Sequence, residues 1–185
     1  MKKIQSLTGM MDLIENKANK ADTANGIFYT EHILKDIFET YSISEIRTPA
    51  LEDSSLFKRS VGDTSDIVNK ELYSFMDKND KSITLRPEGT ASVIRSIIEK
   101  KIDNESNKFW YLGPMWRYER PQKGRYRQFS QAGVEILGYS EGIAELEIVS
   151  IICSINKALG IENSILKINH LGDKESKEKY CNALK

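Results

Sequence analysis

Apolar residues recur at helical spacing in three stretches of the chain. In residues 25–41 they fall on one helical face, and the same spacing runs through residues 91–101 and 141–159. Thr90 stands where it can cap the second of these segments, and Gly160 follows the third as a typical helix terminator. The pattern therefore predicts three helices.

Segments rich in aromatic and branched residues, which are typical of strands, lie mainly between these helices. Residues 70–76 and 82–86 flank the turn sequence DKND, and residues 109–118 and 128–137 flank a basic segment with turn residues. Residues 165–168 are a further predicted strand. Strands joined as hairpins in the middle of the chain predict an α+β fold, with an antiparallel sheet flanked by helices.

Length and composition narrow the class of protein. The chain has 185 residues, 39% hydrophobic and 29% charged, which is typical of a globular domain with its own core. The apolar run at residues 148–155 is interrupted by serine and cysteine and is too short to span a membrane. The first ten residues lack the apolar stretch of a secretory signal. We therefore expect a cytoplasmic protein.

Cysteine and histidine have no spacing that is typical of a metal site. Cys153 and Cys181 form no CxxC pair, and His32 and His170 are distant in sequence. We expect the cysteines to be buried apolar side chains without a disulfide, and His170 to have no functional role. No structural metal is expected.

Positive charge is concentrated in one segment, although the chain as a whole is neutral, with 27 basic and 27 acidic residues. Residues 117–127 carry a net charge of +4. Arginine binds phosphate and carboxylate groups with two parallel hydrogen bonds, and lysine cannot do this. The tip of the second hairpin is therefore predicted to hold an anion, with a solvated loop as the alternative; its arginines are Arg117, Arg120, Arg125 and Arg127.

Residues two apart in a strand share one face of the sheet. By this rule Arg117 and Glu119 point the same way on the first hairpin strand, and Phe129, Gln131 and Glu135 do so on the return strand. Charged side chains are costly to bury without partners. If the two faces coincide, they fit a ligand with both charges, such as a zwitterionic amino acid beside a phosphate.

Four segments resemble those of one known enzyme family and occur in the same order. Residues 113–131, GPMWRYERPQKGRYRQFSQ, resemble motif 2 of the class II aminoacyl-tRNA synthetases in its histidyl form. Residues 83–90, ITLRPEGT, resemble the amino-acid-binding strand of that family, and residues 45–59, EIRTPALEDSSLFKR, resemble motif 1. The closing segment LKINHLGDKESKEKY also fits. The resemblance begins at Leu7 and implies a class II catalytic core.

The resemblance implies which residues would bind ATP, which this family takes as its Mg²⁺ complex. Arg117 would bridge the α-phosphate and the carboxylate of the amino acid, and would neutralise charge as the two react. Phe129 would stack on adenine, Glu119 would bind the adenine amino group, and Arg125 would hold the γ-phosphate. The in-line attack of the carboxylate on phosphorus requires positioning and charge neutralisation, and no nucleophilic side chain.

The resemblance also implies a pocket for histidine. Glu88, Thr90 and Gln131 would receive the α-ammonium group, and Arg117 would bind the carboxylate. Glu135 would accept a hydrogen bond from the imidazole and so provide the side-chain specificity. The histidyl-adenylate formed here would then pass its histidine to tRNA(His), which makes the implied enzyme a histidine–tRNA ligase.

Members of this family are homodimers, and Pro49 of motif 1 would lie at the dimer interface. They also contain a second histidine-binding segment, motif 3 and an anticodon-binding domain, which these 185 residues do not include. We interpret residues 1–185 as the N-terminal portion of the catalytic domain, and expect it alone to bind ATP or histidine weakly and not to charge tRNA. Thr8, Tyr118 and Ser130 depart from the residues usual in the family, but none is an expected substrate contact.

Other interpretations remain open for single residues and for the whole chain. Glu88 can cap the helix that begins near residue 91, Pro49 can simply end a strand, and Phe129 can be ordinary hairpin packing. One alternative function is the synthetase-like regulatory subunit of ATP phosphoribosyltransferase, in which motif 2 should be eroded. Another is a non-catalytic nucleic-acid-binding module that uses the basic hairpin, although its glutamates would repel phosphates.

Overall fold

A computed structural model describes residues 3–18, 23–61, 71–103, 106–120, 122, 124–140, 142–169 and 172–184. The elements are, in chain order, α1 (Thr23–Thr40), β1 (Ser44–Glu45), β2 (Leu51–Asp53), α2 (Ser54–Val61), β3 (Tyr73–Met76), β4 (Ser82–Leu85), α3 (Thr90–Lys100), β5 (Asn107–Trp116), β6 (Gln128–Leu137), α4 (Ile143–Ala158) and α5 (Lys174–Ala183). The predicted α+β class is confirmed.

Within the described residues the strands form two separate three-stranded sheets. One has the order β1-β5-β6 and the other the order β2-β4-β3. Both predicted hairpins, β3-β4 and β5-β6, are antiparallel, but β1 pairs with β5 in parallel. The predicted antiparallel pairing is confirmed for both hairpins, whereas the parallel pair and the division into two sheets were not predicted. A parallel pair needs a long crossover, here from residue 45 to residue 109, which local turn signals cannot reveal.

Helices cover both faces of the β5-β6 hairpin because its alternate residues are apolar on both sides. On one face Trp110 packs with Phe38 of α1 and Ile151 of α4. On the other face Tyr111 and Met115 pack with the buried side chains of α3. The second face is also the one that alternation assigns to the predicted site residues of β6. Helix α3 thus forms a wall beside the candidate site.

The C-terminal part of the chain differs from the prediction. Residues 165–168 form no strand, and Ile165 and Ile168 are more than 80% exposed. The branched residues of this short run predict a strand by composition, but no described strand pairs with residues 165–168. Helix α5 was not predicted; Asp173 caps it by accepting a hydrogen bond from the Ser176 N–H at 2.7 Å.

Both cysteines, Cys153 and Cys181, are free thiols on exposed positions, so the expectation that they are buried was wrong. Cys153 lies on the side of α4 turned away from the buried Ile151, and the described residues of α5 around Cys181 are exposed. His170 lies outside the described residues. No described helix combines the length and the apolar character that crossing a membrane requires.

Candidate active site

Pairing of β5 with β6 brings four predicted site residues to one face of the sheet. Phe129, Gln131 and Glu135 alternate along β6, whose register with β5 is regular throughout. The Arg117 N–H bonds the Arg127 carbonyl oxygen at 2.9 Å and so continues the ladder beyond β5. The Arg117 guanidinium lies on the same face, because its Cζ is 5.2 Å from the centroid of the Phe129 ring. The common face predicted from alternation is present.

The segment between β4 and α3 lies beside this face. The Thr90 hydroxyl donates to Glu135 Oε1 at 2.7 Å. The Glu88 carboxylate accepts the N–H groups of Thr90, at 2.6 Å, and of Ala91, at 3.0 Å. Gly89 is the N-cap residue of α3, so the prediction that Thr90 caps this helix was wrong.

Glu88 does cap the helix, as the simpler interpretation proposed. This capping does not exclude a ligand, because an ionised carboxylate can accept about four hydrogen bonds and two are used here. The two bonds to the helix N-terminus hold the Glu88 carboxylate in one orientation, two residues before Thr90, which bonds Glu135. Capping and ligand binding are therefore compatible at Glu88.

A further hydrogen bond joins Arg117 to this segment. Arg117 Nε donates to the Pro87 carbonyl oxygen at 2.9 Å, across 30 residues of sequence. A guanidinium has five N–H donors, and this bond occupies one of them. It anchors the side chain between the hairpin and the β4-α3 segment while the planar group remains able to bind an anion.

Tyr111, which sequence reasoning did not select, fills the space behind Thr90 and Glu135. The residue is only 5% exposed. Its ring lies where side chains at Gly89 and Gly133 would otherwise be, since a Cβ at either position would come within 2.3 Å of ring atoms. A glycine within a strand, such as Gly133, or at a helix start, such as Gly89, can mark a place where another side chain approaches the backbone closely. This signal could have pointed to Tyr111.

Burial and nearby charge act on the ionisable groups of this corner. Burial raises the pKa of the Glu135 carboxyl, the charge of Glu88 raises it further, and the hydrogen bond from Thr90 opposes both effects. Burial also raises the pKa of the Tyr111 hydroxyl, which interacts with the Thr90 side chain and the Gly89 backbone. The corner thus presents two half-buried carboxylates, Glu88 and Glu135, which favours a cationic or hydrogen-bond-donating ligand.

Gln131 has an acceptor without a partner. Its Oε1 atom is buried and receives no hydrogen bond from the described residues. Opposite it on β5 stands Gly113, whose missing side chain leaves room for the Arg86 guanidinium. A buried acceptor left unpaired costs about 1–3 kcal/mol. A ligand that donates an N–H group at this point would remove that cost.

Glu119 and Arg125 face each other at the base of the hairpin loop. Arg125 Nε lies 2.8 Å from Glu119 Oε2, although the N–H direction does not make this ion pair a hydrogen bond. Strand β5 ends at Trp116, and the Glu119 N–H bonds the Arg117 carbonyl across a tight turn. Glu119 therefore lies beyond the strand, and strand alternation was the wrong argument for its direction. Lys123, which contributes to the net charge of this loop, lies outside the described residues.

We expect Gly133→Ala to destabilise the protein by about 1–3 kcal/mol, because an added methyl group overpacks a filled site. Its Cβ would lie 2.3 Å from the Cζ and Oη atoms of Tyr111. Thermal unfolding followed by circular dichroism measures the change. Gly26→Ala is the matched control: nothing lies within 4 Å of its Cβ, and alanine in α1 should stabilise by up to about 1 kcal/mol. Equal shifts in the two variants would contradict the packing around Tyr111.

A model of the histidyl-tRNA synthetase family matches residues 9–172, which is most of the chain. The chain belongs to this family. The histidine–tRNA ligase of Francisella philomiragia is 44% identical over 187 aligned residues, which include all of this chain and 43% of that protein. The histidine–tRNA ligase of Staphylococcus epidermidis is 50% identical over 159 residues, 84% of this chain and 38% of that protein.

Solved structures agree with the family. The crystal structure of apo Staphylococcus aureus histidyl-tRNA synthetase superposes with a TM-score of 0.76 at 36% identity and covers 98% of this chain. A protein from Bacillus halodurans described as an ATP phosphoribosyltransferase regulatory subunit/histidyl-tRNA synthetase has a TM-score of 0.66 at 22% identity, which shows a shared fold. The chain spans about 40% of the length of these relatives.

Proposed function

We propose that this chain forms the histidine- and ATP-binding face of a histidine–tRNA ligase. The observation that carries the proposal is the common face of the hairpin. There the Arg117 guanidinium, the unpaired Gln131 amide oxygen and the Glu135 carboxylate lie along one sheet surface, and Thr90 connects Glu135 to Glu88. This arrangement offers acceptors for an ammonium group and an imidazole, and a cation for carboxylate and phosphate.

In the proposed complex the α-ammonium group of histidine binds Gln131, Glu88 and Thr90. The unpaired oxygen of Gln131 and the remaining lone pairs of the Glu88 carboxylate support this, and two backbone N–H groups hold the Glu88 carboxylate in position before the ligand arrives. Glu135 accepts the imidazole N–H. Its hydrogen bond from Thr90 holds one oxygen and leaves the other to face the ligand.

ATP in this proposal stacks on Phe129 and extends its phosphates toward Arg117 and Arg125. Phe129 also packs against the core formed with α3, so the ring is held rigidly and its packing and stacking roles coexist. The ion pair between Arg125 and Glu119 would have to separate, since the first is assigned to the γ-phosphate and the second to adenine. The Arg125 side chain is 61% exposed and can swing into solvent, whereas the Glu119 carboxylate is only 13% exposed and would need the adenine amino group as its new partner.

The reaction proposed is attack of the histidine carboxylate on the α-phosphorus of ATP. Arg117 lies between the histidine corner and the hairpin loop and neutralises negative charge on both reactants. Among the described residues no cluster of three or more histidine, cysteine or acidic side chains could hold a metal ion. In the proposal Mg²⁺ would arrive bound to the ATP phosphates and would supply further charge neutralisation there.

The proposal extends to a cytoplasmic homodimer that acts on tRNA(His). Pro49 is exposed between β1 and β2, which is compatible with an interface between two copies. The cytoplasmic location is not shared by every relative, since one from Gracilaria tenuistipitata var. liui, 45% identical over 181 residues, is named as chloroplastic. The retained Arg117, Glu119, Arg125 and Phe129 favour a ligase over the regulatory subunit, which would need no ATP site.

A chimera tests this function directly. Residues 9–172 of this chain would replace the matching segment of the S. aureus enzyme, and histidine-dependent exchange of pyrophosphate into ATP would be measured. We expect exchange with histidine and none with other amino acids, whereas the 185-residue chain alone should show no charging of tRNA. A chimera that melts like its parent and yet shows no exchange would refute the proposal.

A further inference from the structure

The candidate site lies across the boundary between the two sheets. Its hairpin residues belong to the sheet β1-β5-β6, whereas Glu88 and Thr90 follow β4 of the other sheet. No strand of one sheet pairs with a strand of the other within the described residues. The distance between the two halves of the histidine pocket therefore depends on side chains and loops at this boundary.

Arg86 occupies that boundary with its side chain buried at 8% exposure. Its Nη1 donates to the Thr48 carbonyl oxygen at 2.9 Å and to the Thr48 hydroxyl at 3.0 Å. Its Nε donates to the Pro114 carbonyl oxygen at 3.1 Å. The guanidinium thus bonds the loop before β2 and strand β5 simultaneously, across 38 and 28 residues of sequence.

The backbone of the same residue makes two further connections. The Arg86 N–H bonds the Ala50 carbonyl oxygen at 2.9 Å, and the Arg86 carbonyl oxygen accepts the Trp116 N–H at 3.0 Å. The next residue, Pro87, accepts the Arg117 Nε–H at 2.9 Å. One short piece of chain is therefore bonded to the hairpin at consecutive residues, immediately before Glu88.

The chemistry of this arrangement is unusual for an arginine that serves stability alone. The acceptors of its three side-chain bonds are all neutral oxygens, and burying a cation against neutral partners is costly. Burial lowers the pKa of the guanidinium, and nearby Tyr111 and Glu52 oppose that effect. Gly113 leaves room for the group, since a Cβ there would lie 2.8 Å from Nη2. The planar guanidinium carries several N–H donors in fixed directions, so it can bond two chain segments at once.

We propose that Arg86 is a positioning residue that holds the two sheets in register across the histidine pocket. That the pocket binds histidine rests on the proposed function. That Arg86 joins the two sheets rests on the hydrogen bonds alone. Arg86 itself touches no substrate; it acts through Glu88, two residues along the chain, and through the hairpin. Three of the four proposed ATP contacts, Phe129, Glu119 and Arg125, lie on the hairpin and make no hydrogen bond to this segment within the described residues, whereas the fourth, Arg117, bonds Pro87. ATP binding should therefore depend less on this register than histidine binding does.

The test compares Arg86→Lys with wild type in the 185-residue chain, using amide hydrogen exchange measured by NMR. Lysine keeps the charge but its single ammonium cannot reproduce the fork. We expect the Trp116 amide to exchange at least roughly tenfold faster, from the loss of about one charged hydrogen bond. The Ile43 amide, bonded to Phe38 in the opposite core, should change less than about twofold. Thr48→Val, which removes only the hydroxyl acceptor, should give an intermediate effect.

Ligand titrations of the same samples provide a second readout. Histidine affinity should fall roughly tenfold in Arg86→Lys, whereas ATP·Mg²⁺ affinity should stay within about twofold. Equal acceleration of exchange at Trp116 and Ile43, or an equal loss of both affinities, would mean general destabilisation and would overturn the proposal. If the wild-type chain binds neither ligand, the proposed function is what fails, and the exchange data still decide whether Arg86 holds the two sheets.

Discussion

Arg117→Gln is expected to reduce histidine-dependent pyrophosphate exchange by roughly 10²- to 10³-fold, the usual cost of removing one preorganised donor from developing charge. The guanidinium lies against the Phe129 ring and is anchored to the Pro87 carbonyl, so it is in place before substrates bind. Glutamine keeps a planar polar end group but is shorter and carries no charge. The measurement is exchange by the chimera described above, at saturating ATP and histidine.

Arg120→Gln is the matched control for this prediction. It removes the same charge from the same hairpin, three residues away, at an exposed position. Its exchange rate should stay within about threefold of wild type, since an exposed charge is screened by water and salt. Arg117→Lys should recover little activity, because an ammonium group cannot bond carboxylate and phosphate in parallel. Comparable losses in Arg117→Gln and Arg120→Gln would show that the effect is a general one of hairpin charge.

Glu135→Gln should weaken histidine use by roughly 10- to 100-fold, as expected when a hydrogen bond to a charged group is lost. The substitution keeps the size of the side chain and leaves an amide oxygen that Thr90 can still bond. The ratio kcat/KM for histidine in the exchange assay measures the effect, and KM for ATP should not change. Glu162→Gln, the same charge change at an exposed position, is the control and should match wild type.

The histidine affinity of the wild-type site should also depend on the ionisation of Glu135. Because the pKa of this carboxyl is raised, protonation begins at a higher pH than for an ordinary glutamate, and binding should fall from that pH downward. Thr90→Val removes the hydrogen bond that lowers the pKa of Glu135. In this variant the acid limb, which is the fall of histidine affinity at low pH, should therefore begin at still higher pH. The imidazole of free histidine titrates identically in both experiments, so the difference between the two limbs reports Glu135. An acid limb that moves to lower pH would contradict the assigned contact.

The hairpin shows what local pattern can predict. Its strands, its antiparallel pairing and the shared face of Phe129, Gln131 and Glu135 all follow from a two-residue alternation that any strand must obey. Family motifs added the roles of these residues, and those roles stay predictions. Where the alternation rule was extended past the end of the strand, to Glu119, it was the wrong argument because the chain turns there.

Residues that act across the fold could not be read in the same way. Tyr111 was counted among strand aromatics, and only the approach of Gly89 and Gly133 to its ring shows that it forms the back wall of the pocket. Arg86 stood within a recognised motif, but its bonds reach Thr48 and Pro114, 38 and 28 residues away. Neither relation has a period or a fixed spacing along the chain.

Short-range rules of backbone geometry therefore determined the hairpin, the main helices and the chemical nature of the site from residue order alone. Tertiary packing decided the rest: the parallel pairing of β1 with β5, the division into two sheets and the joining of the sheets at Arg86. The physical reason is range. Alternation and helical periodicity constrain residues a few positions apart, whereas contacts between distant segments depend on how whole elements fill space together.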